Sequence, residues 1–315
     1  MNVLHPRCDT DFTQLSASAT RDCKHLLDLV FRRSRGVRDQ QIFTDFPLVF
    51  APSNRRNCRV IIEDGKVVSH AALWERELVV EDARLKVGEI VVVATHSDYR
   101  LRGYAAKLMG DLQTTMHDEN YDMGILWTGV PDFYRKLGWE RVTPRGWIVE
   151  MAGVQTPTVE ADVSRYDEAR HLDGIIALHE REPVRFTRSR DDAVALLALP
   201  KINVWVTTHD EKVVAYLVWG DAVNKRGIIE YGGDLNGILA LIAHVENHQP
   251  PAANTCLIAY HVRWDLIAQL RTLGARMRPI KSSKGDGVEM IYVVNPLRVT
   301  RRVREQLFVW GLDYA

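Results

Sequence analysis

Apolar positions Leu26, Leu27, Val30 and Phe31 recur at helical spacing behind Ser16 and Ser18, either of which can cap a helix. The pattern then turns extended. Val60-Ile61-Ile62, a polar Glu63-Asp64-Gly65-Lys66 turn and Val67–Leu73 read as a hairpin. A second hairpin turns near Glu81-Asp82 and leads through Leu85 and Val87 into an apolar run, Ile90–Thr95. From Gly103 the period becomes helical again, with Ala106, Leu108, Met109, Leu112 and Met116 on one face. Met123–Trp127 follows as a strand and Pro131-Asp132 as a helix start. Phe133–Leu137 reads as a short helix ended by Gly138, and Trp147–Met151 as a strand.

That order recurs. Asp210-Glu211-Lys212-Val213-Val214 echoes Asp64–Val68, 146 residues on, and Arg271-Thr272-Leu273-Gly274 echoes Arg135–Gly138, 136 residues on. Between these anchors lie an apolar run at Gly227–Ile229, an apolar helix at Leu235–Val245 and a strand at Cys256–Ala259. The sequence therefore predicts a duplicated domain, the second copy shorter between its anchors, with polar Gly153–Thr158 as the linker. The expected boundaries are 1–152 and 159–296. Residues 297–315 form a C-terminal tail in which Val299, Val303, Leu307 and Trp310 keep helical spacing between Arg301, Arg302 and Arg304. That tail is expected to dock across the domains or to serve a homodimer contact.

Composition narrows the chemistry. The chain has 315 residues, with 41 basic and 41 acidic side chains, so no global field draws nucleic acid or an anionic membrane surface. Cys8, Cys23, Cys58 and Cys256 are scattered without a CxxC pair, which points to chance thiols in a reducing cytoplasm. The 11 histidines include no HExxH, so no metal is expected. No segment approaches the roughly 18 apolar residues of a membrane span.

The stretch Gly88–Met109 carries the candidate chemistry. An apolar strand ends at Thr95, a polar turn follows, and Arg100-x-x-Gly103-x-Ala105 opens a helix. Unpaired N–H groups at a helix N-terminus, with the positive end of the dipole behind them, make an anion site, here suited to a pyrophosphate. A dinucleotide fingerprint needs different glycine spacing and a parallel βαβ unit, and a Walker A loop needs Gly-Lys-Ser/Thr; neither is present. In the second copy the equivalent place reads Glu230-Tyr231-Gly232-Gly233-Asp234-Leu235-Asn236-Gly237. Its two acids would repel a phosphate, and the reading there is a shortened turn. His96 and Asp98 read as solvated turn residues, and Trp74, Trp127, Trp139 and Trp147 as core, with one or two available to line an acceptor pocket.

Arg100-x-x-Gly103-x-Ala105 resembles motif A of the GNAT acetyltransferases. Phe133-Tyr134-Arg135-Lys136-Leu137-Gly138-Trp139 resembles the family's later aromatic-Tyr-x-x-x-Gly-aromatic segment. Residues 160–295 resemble a degenerate second unit. The tandem is similar to bacterial two-GNAT proteins such as the enhanced-intracellular-survival type, whose usual third domain this chain is too short to hold. The resemblance implies an α/β (mixed α+β) protein of two tandem GNAT folds, each a mostly antiparallel mixed sheet flanked by helices. It also implies acetyl-CoA as co-substrate. The pantetheine arm would pair with Val93, Ala94 and Thr95, and the pyrophosphate would sit on backbone N–H groups of Leu101, Arg102, Gly103, Tyr104, Ala105 and Ala106. Arg100 and Arg102 would add charge.

The same resemblance assigns Tyr134 as general acid toward the CoA sulfur, Glu89 as general base and the Val93 N–H as the group polarising the thioester carbonyl. Each has a plainer alternative. Tyr134 can be a core residue beside Phe133 and Trp139, and Glu89 a hairpin-end carboxylate facing water or pairing with Arg84 or Lys86. No Cys or Ser stands in a nucleophile motif, which disfavours an acyl-enzyme. The expected function is direct acetyl transfer to a primary amine of a small molecule or peptide, with one cofactor site per chain. The alternative is a non-catalytic CoA-binding sensor.

Overall fold

The computed structural model describes residues 15–33, 42–143, 145–151, 154, 161–222, 225–248, 256–280 and 288–314. The linker expected at Gly153–Thr158 lies, apart from Val154, outside the described residues, as does Cys8. Along the chain come α1 (Ala17–Phe31), α2 (Ile42–Asp45), β1 (Cys58–Glu63), β2 (Lys66–Val80), β3 (Ala83–Thr95), α3 (Tyr104–Asp118), β4 (Met123–Thr128), α4 (Pro131–Arg135) and β5 (Glu140–Val142). Next are β6 (Gly146–Glu150), β7 (Asp162–Arg165), α5 (Glu168–His179), β8 (Val184–Phe186), α6 (Arg190–Leu197), β9 (Ile202–His209), β10 (Lys212–Ala222), β11 (Lys225–Gly233) and α7 (Leu235–His248). Then follow β12 (Cys256–Tyr260), α8 (Trp264–Thr272), β13 (Arg276–Pro279), β14 (Val288–Val293) and α9 (Arg301–Gln306). The fold is mixed α/β, with two mostly antiparallel mixed sheets flanked by helices. Among the described residues no helix is long and apolar enough to cross a membrane.

The chain divides into two compact units. The first comprises 1–77, 85–142 and 282–300, and the second 78–84, 143–281 and 301–315. These are not the contiguous stretches 1–152 and 159–296 expected from the sequence. In the first unit the strands run β1-β2-β3-β4-β14-β5, so a strand from near the C-terminus sits between β4 and β5. In the second they run β13-β6-β12-β11-β10-β9-β7, and β6 fills the corresponding place between β12 and β13. The Trp147 strand thus belongs to the second unit, and each sheet holds a strand encoded beside the other.

In the first unit Ser16 is the residue that caps α1, accepting from the Ala19 N–H at 3.2 Å. The β1–β2 hairpin turns through Asp64 and Gly65, both with positive φ, as a two-residue turn requires. Two apolar layers cover the sheet. Leu26, Leu27, Phe46, Val60, Ala72, Trp74, Val92 and Ala94 pack with α1 and α2 on one face. Ile61, Leu73, Ile90, Leu126, Tyr134, Trp139 and Met290 pack with α3 on the other. Helix α3 buries Leu108, Met109, Leu112 and Met116, the stripe its period predicts, each such side chain contributing about 1.5–3 kcal/mol of burial.

In the second unit the C-terminal segment departs from its expected helix. Helix α9 stops at Gln306, and Leu307, Phe308, Val309 and Trp310 are all buried in a segment that is neither helix nor strand. The Tyr260 hydroxyl donates to the Val309 carbonyl at 2.8 Å and the Trp310 indole N–H to the Val184 carbonyl at 2.9 Å. Four consecutive buried residues do not fit one face of a helix.

Candidate active site

Strands β3 and β4 run parallel, but pair only at Val87–Met123, Gly88–Gly124 and Glu89–Ile125. Beyond Ile125, β4 keeps its other neighbour, with Leu126, Trp127 and Thr128 opposite Met290, Glu289 and Val288 of β14. On the opposite side β3 stays with β2, for the His96 N–H reaches the Val68 carbonyl at 2.9 Å. The sheet therefore splays after Glu89, and Ile90–Thr95 has no β4 partner.

A bulge lies in the splayed part. Val92 has φ 48°, a conformation that β-branched residues rarely adopt. Side-chain alternation breaks there. Ile90 packs on the α3 face, Val91 and Val92 both pack on the α1 face, and Val93 returns to the α3 face. Two successive residues on one side are the mark of an inserted residue, which re-aims the strand beyond it. Ala94 is buried and Thr95 half-buried, the Thr95 hydroxyl lying 2.9 Å from that of Ser69.

The chain then makes a short 3-10 turn, Ser97–Tyr99, capped by the His96 ring, whose Nδ1 accepts from the Asp98 N–H. Leu101 follows with φ 64° and a fully exposed side chain, and Gly103 with φ 81°. Gly103 is the N-cap of α3, and no side chain accepts from the helix's first N–H groups. The first backbone bond within α3 runs from Lys107 N–H to the Gly103 carbonyl, so the N–H groups of Tyr104, Ala105 and Ala106 precede the ladder. A Cβ built at Gly103 would meet nothing within 4 Å. The glycine supplies the left-handed turn and leaves the helix end open.

The two arginines differ. Arg100 is exposed, its Nε 3.4 Å from the Thr95 carbonyl. Arg102 is tied down, with Nη1 3.0 Å from Glu63 Oε1 and its guanidinium 4.7 Å from the Tyr99 ring centre. The Tyr104 hydroxyl donates to the same Glu63 carboxylate, which holds its phenol above the ordinary tyrosine value. The hairpin tip thus braces the loop through Glu63, a residue the sequence reading assigned only to a turn.

Tyr134 lies in α4 and is buried on the α3 face, where Phe133 and Val93 also pack. Its position follows from the way the helix ends. The Trp139 N–H bonds the Tyr134 carbonyl at 3.1 Å and the Gly138 N–H bonds that of Arg135 at 3.1 Å, with Gly138 at φ 87°. This 6→1 and 5→2 pair is a Schellman motif, the physical content of the Tyr-x-x-x-Gly-aromatic spacing. Burial pushes the Tyr134 phenol up to about 12, so it keeps its proton across the working pH range.

Glu89 is buried. Gly88 faces Leu73 and Met116, and Ile90 packs beside them, so Glu89 between them points to the opposite face from Tyr134. Its carboxylate lies 3.8 Å from Arg76 Nη1, and the Arg76 guanidinium in turn lies over the Trp74 ring at 3.8 Å. Lys86, one of the partners expected from the sequence, lies 3.2 Å from Glu75. The two candidate proton-handling groups therefore stand on opposite faces of the sheet at its splay.

Sequence reasoning missed Ser69, His70 and Arg76. Ser69 Oγ donates to the Ala94 carbonyl at 2.9 Å, and His70 Nδ1 lies 2.9 Å from the Val92 carbonyl. The signal was present, because Ser69-His70 interrupts an apolar strand with one polar residue toward each face. Among the tryptophans, Trp139 is fully buried against Tyr134 and Tyr292, Trp74 is buried under Arg76, and Trp127 is half-buried. Among the described residues no group of three or more His, Cys, Asp or Glu could hold a metal ion.

Residues 11–142 match a family model described as an acetyltransferase (GNAT) domain. No curated protein sequence matches the chain. Among solved structures, a conserved protein of Enterococcus faecalis V583 superposes with a TM-score of 0.69 at 14% identity, over 91% of this chain and 73% of that one. A GCN5-related N-acetyltransferase from Anabaena variabilis ATCC 29413 gives 0.67 at 14% identity with the same two coverages. Eis1 from Mycobacterium abscessus gives 0.59 at 13% identity, over 91% of this chain and 74% of that one. At such identities the likeness is one of fold, and it extends over both units.

Proposed function

We propose that the first unit, in which residues 11–142 match a family model described as an acetyltransferase (GNAT) domain, binds acetyl-CoA and passes its acetyl group directly to a primary amine of a small molecule or peptide. The observation that carries this reading is the joint presence of an opened strand edge after Glu89 and an uncapped helix end at Gly103, eight residues beyond that strand. An extended arm pairs with such an edge through backbone hydrogen bonds, and a pyrophosphate accepts from such a helix end.

The pantetheine arm would lie along Val93, Ala94 and Thr95. The pyrophosphate would rest on N–H groups between Leu101 and Ala106, with Arg100 free to add a charge-assisted contact. The amine attacks the thioester carbon, the carbon–sulfur bond breaks, and the acetyl group ends on nitrogen. Glu89 takes the proton the amine gives up, directly or through water, and the Val93 N–H stabilises charge developing on the carbonyl oxygen. Tyr134 donates a hydrogen bond to the departing sulfur. A phenol near 12 holds its proton more tightly than a thiol of roughly 8.5, so the hydrogen bond stabilises thiolate more than it transfers the proton outright.

The test is thiol release from acetyl-CoA with a panel of aminoglycosides, polyamines, amino acids and peptides, beside calorimetric binding of acetyl-CoA. Amine-dependent release supports the proposal. Binding without turnover on any amine transfers support to a CoA sensor, and absence of binding removes the site altogether.

A further inference from the structure

We infer that His70 is a positioning residue, which holds the Val92–Val93 peptide so that the Val93 N–H faces the splay between β3 and β4. The inference rests on the acetyl-transfer reading of that splay.

Strand β3 lies between β2 and β4, and His70 is on β2. Its Nδ1 approaches the Val92 carbonyl oxygen at 2.9 Å. A carbonyl oxygen only accepts, so Nδ1 carries the proton. Burial lowers the His70 pKa to about 4, and the ring is neutral with that one N–H committed to Val92. The ring is fully buried, with Phe50 5.9 Å away and tilted against it. A trans peptide sets its C=O and N–H in opposite directions in one plane. With the Val92 carbonyl drawn to β2, the Val93 N–H is directed toward β4, on the side where pairing ended at Glu89 and Ile125.

The bulge makes such a clamp necessary. Val92 at φ 48° is out of the regular ladder and strained for a β-branched residue. A strained peptide without a side-chain partner has no reason to keep one orientation. Ser69 adds a second tie on the same strand pair by donating to the Ala94 carbonyl at 2.9 Å. Together the two adjacent polar residues of β2 hold the carbonyls on either side of Val93.

The experiment compares the wild-type chain with His70→Phe, which keeps a ring and loses the donor, and His70→Asn, whose amide nitrogen stands where Nδ1 does. Binding is measured with acetyl-CoA labelled with carbon-13 at the thioester carbonyl, by calorimetry and by infrared spectroscopy of the bound carbonyl stretch. Steady-state thiol release is followed in parallel, with thermal melts reporting on folding. The expected result for His70→Phe is an unchanged Kd, a carbonyl stretch shifted back toward its free value and a kcat lower by about 10²-fold. His70→Asn should restore both the stretch and kcat to within several-fold of wild type. An identical stretch and kcat in wild type and His70→Phe overturn the inference, and so does equal loss in His70→Phe and His70→Asn. Failure of the wild-type chain to bind acetyl-CoA overturns the reading of the site itself, a separate outcome.

Discussion

The two units share a scaffold and differ at one helix end. In the first, eleven residues, Val93–Gly103, separate the positive-φ residue Val92 from the first residue of α3; in the second, Asp234 alone separates the positive-φ residue Gly233 from α7. The connection into the helix is thus ten residues shorter in the second unit. The helix ends are finished in opposite ways. Gly103 leaves α3 uncapped in open space, whereas Asp234 Oδ1 accepts from the Gly237 N–H at 2.7 Å. A carboxylate of the chain itself occupies the place where an anion would bind. A Cβ at Gly233 would come within 2.2 Å of the Val214 carbonyl, so that end is also closed by backbone.

The carboxylates three residues before each positive-φ position diverge in the same sense. Glu89 has Arg76 at 3.8 Å. Glu230 is held by both Nη atoms of Arg188 at 2.8 Å, by the Tyr216 hydroxyl at 3.0 Å and by the Leu312 N–H at 3.0 Å. Arg188 also reaches Asp313 at 2.9 Å. Such saturation suits a structural acid, whose stabilised charge makes it a poor base. The same positions are left open at the helix end of the first unit and are taken up by packing and ion pairing in the second.

The largest effect that would sharpen this contrast is loss of Arg188. Arg188→Ala leaves Glu230 and Asp313 buried without their cation, and should cost the second unit about 3–5 kcal/mol. Denaturant titration measures it, and a loss below about 1 kcal/mol would show that the network is not structural. Next is Gly103→Asp, which brings a carboxylate to α3 as Asp234 does to α7. We expect at least a roughly 100-fold weaker Kd for acetyl-CoA by calorimetry, about 2.7 kcal/mol. The aspartate backbone must adopt φ 81°, so stability should also fall slightly, by about 1 kcal/mol of strain. An unaltered Kd would mean that the anion sits elsewhere.

Tyr134→Phe tests the first unit's chemistry without touching its scaffold. The ring packing persists, and kcat should drop by about 10²-fold with the KM for acetyl-CoA held within roughly two-fold. Intact turnover would return Tyr134 to the core role that its burial beside Phe133 and Trp139 equally suits.

Much of this was legible in the residues. The α3 stripe, the Ser16 cap, the hairpin at Asp64-Gly65 and the strand–loop–helix around Gly103 depend on neighbours in sequence, and local pattern predicts them. The exchange of β6 and β14 was not legible. A short apolar run marks Trp147–Met151 as a strand but carries nothing about which of two similar sheets receives it. The tail misled for a related reason, since Val299, Val303 and Leu307 keep helical spacing while Leu307–Trp310 is buried outside any helix. Within the candidate site, the turn at Gly103 and the helix end at Tyr134–Gly138 follow spacings visible in the sequence. His70 and Arg76 lie on β2, and only the folded register brings them to Val92 and Glu89.

A pH series separates the units further. Burial pushes the Glu182 carboxyl up to about 7 even with Arg263 Nη1 at 3.6 Å. A folded pKa raised above the unfolded value of roughly 4.3 adds stability that is complete below that value and lost as pH rises through 7. Glu182→Gln should flatten the fall in Tm between about pH 4.5 and 7, and leave the variant about 1–2 kcal/mol more stable at pH 8. Parallel wild-type and variant curves would show that the carboxyl is ionised at neutral pH in the fold.

The smallest effect tests the comparison most directly. Asp234→Ala removes the internal cap of α7 and should cost about 1 kcal/mol, a few degrees in Tm. It uncovers helix N–H groups without supplying the loop, since no residues are inserted between Gly233 and Leu235. The second unit should therefore remain closed, and acetyl-CoA should still bind at one equivalent per chain by calorimetry. A second equivalent in this variant would mean that the carboxylate alone separates the two units, and that the loop length and the crowding at Gly233 are incidental.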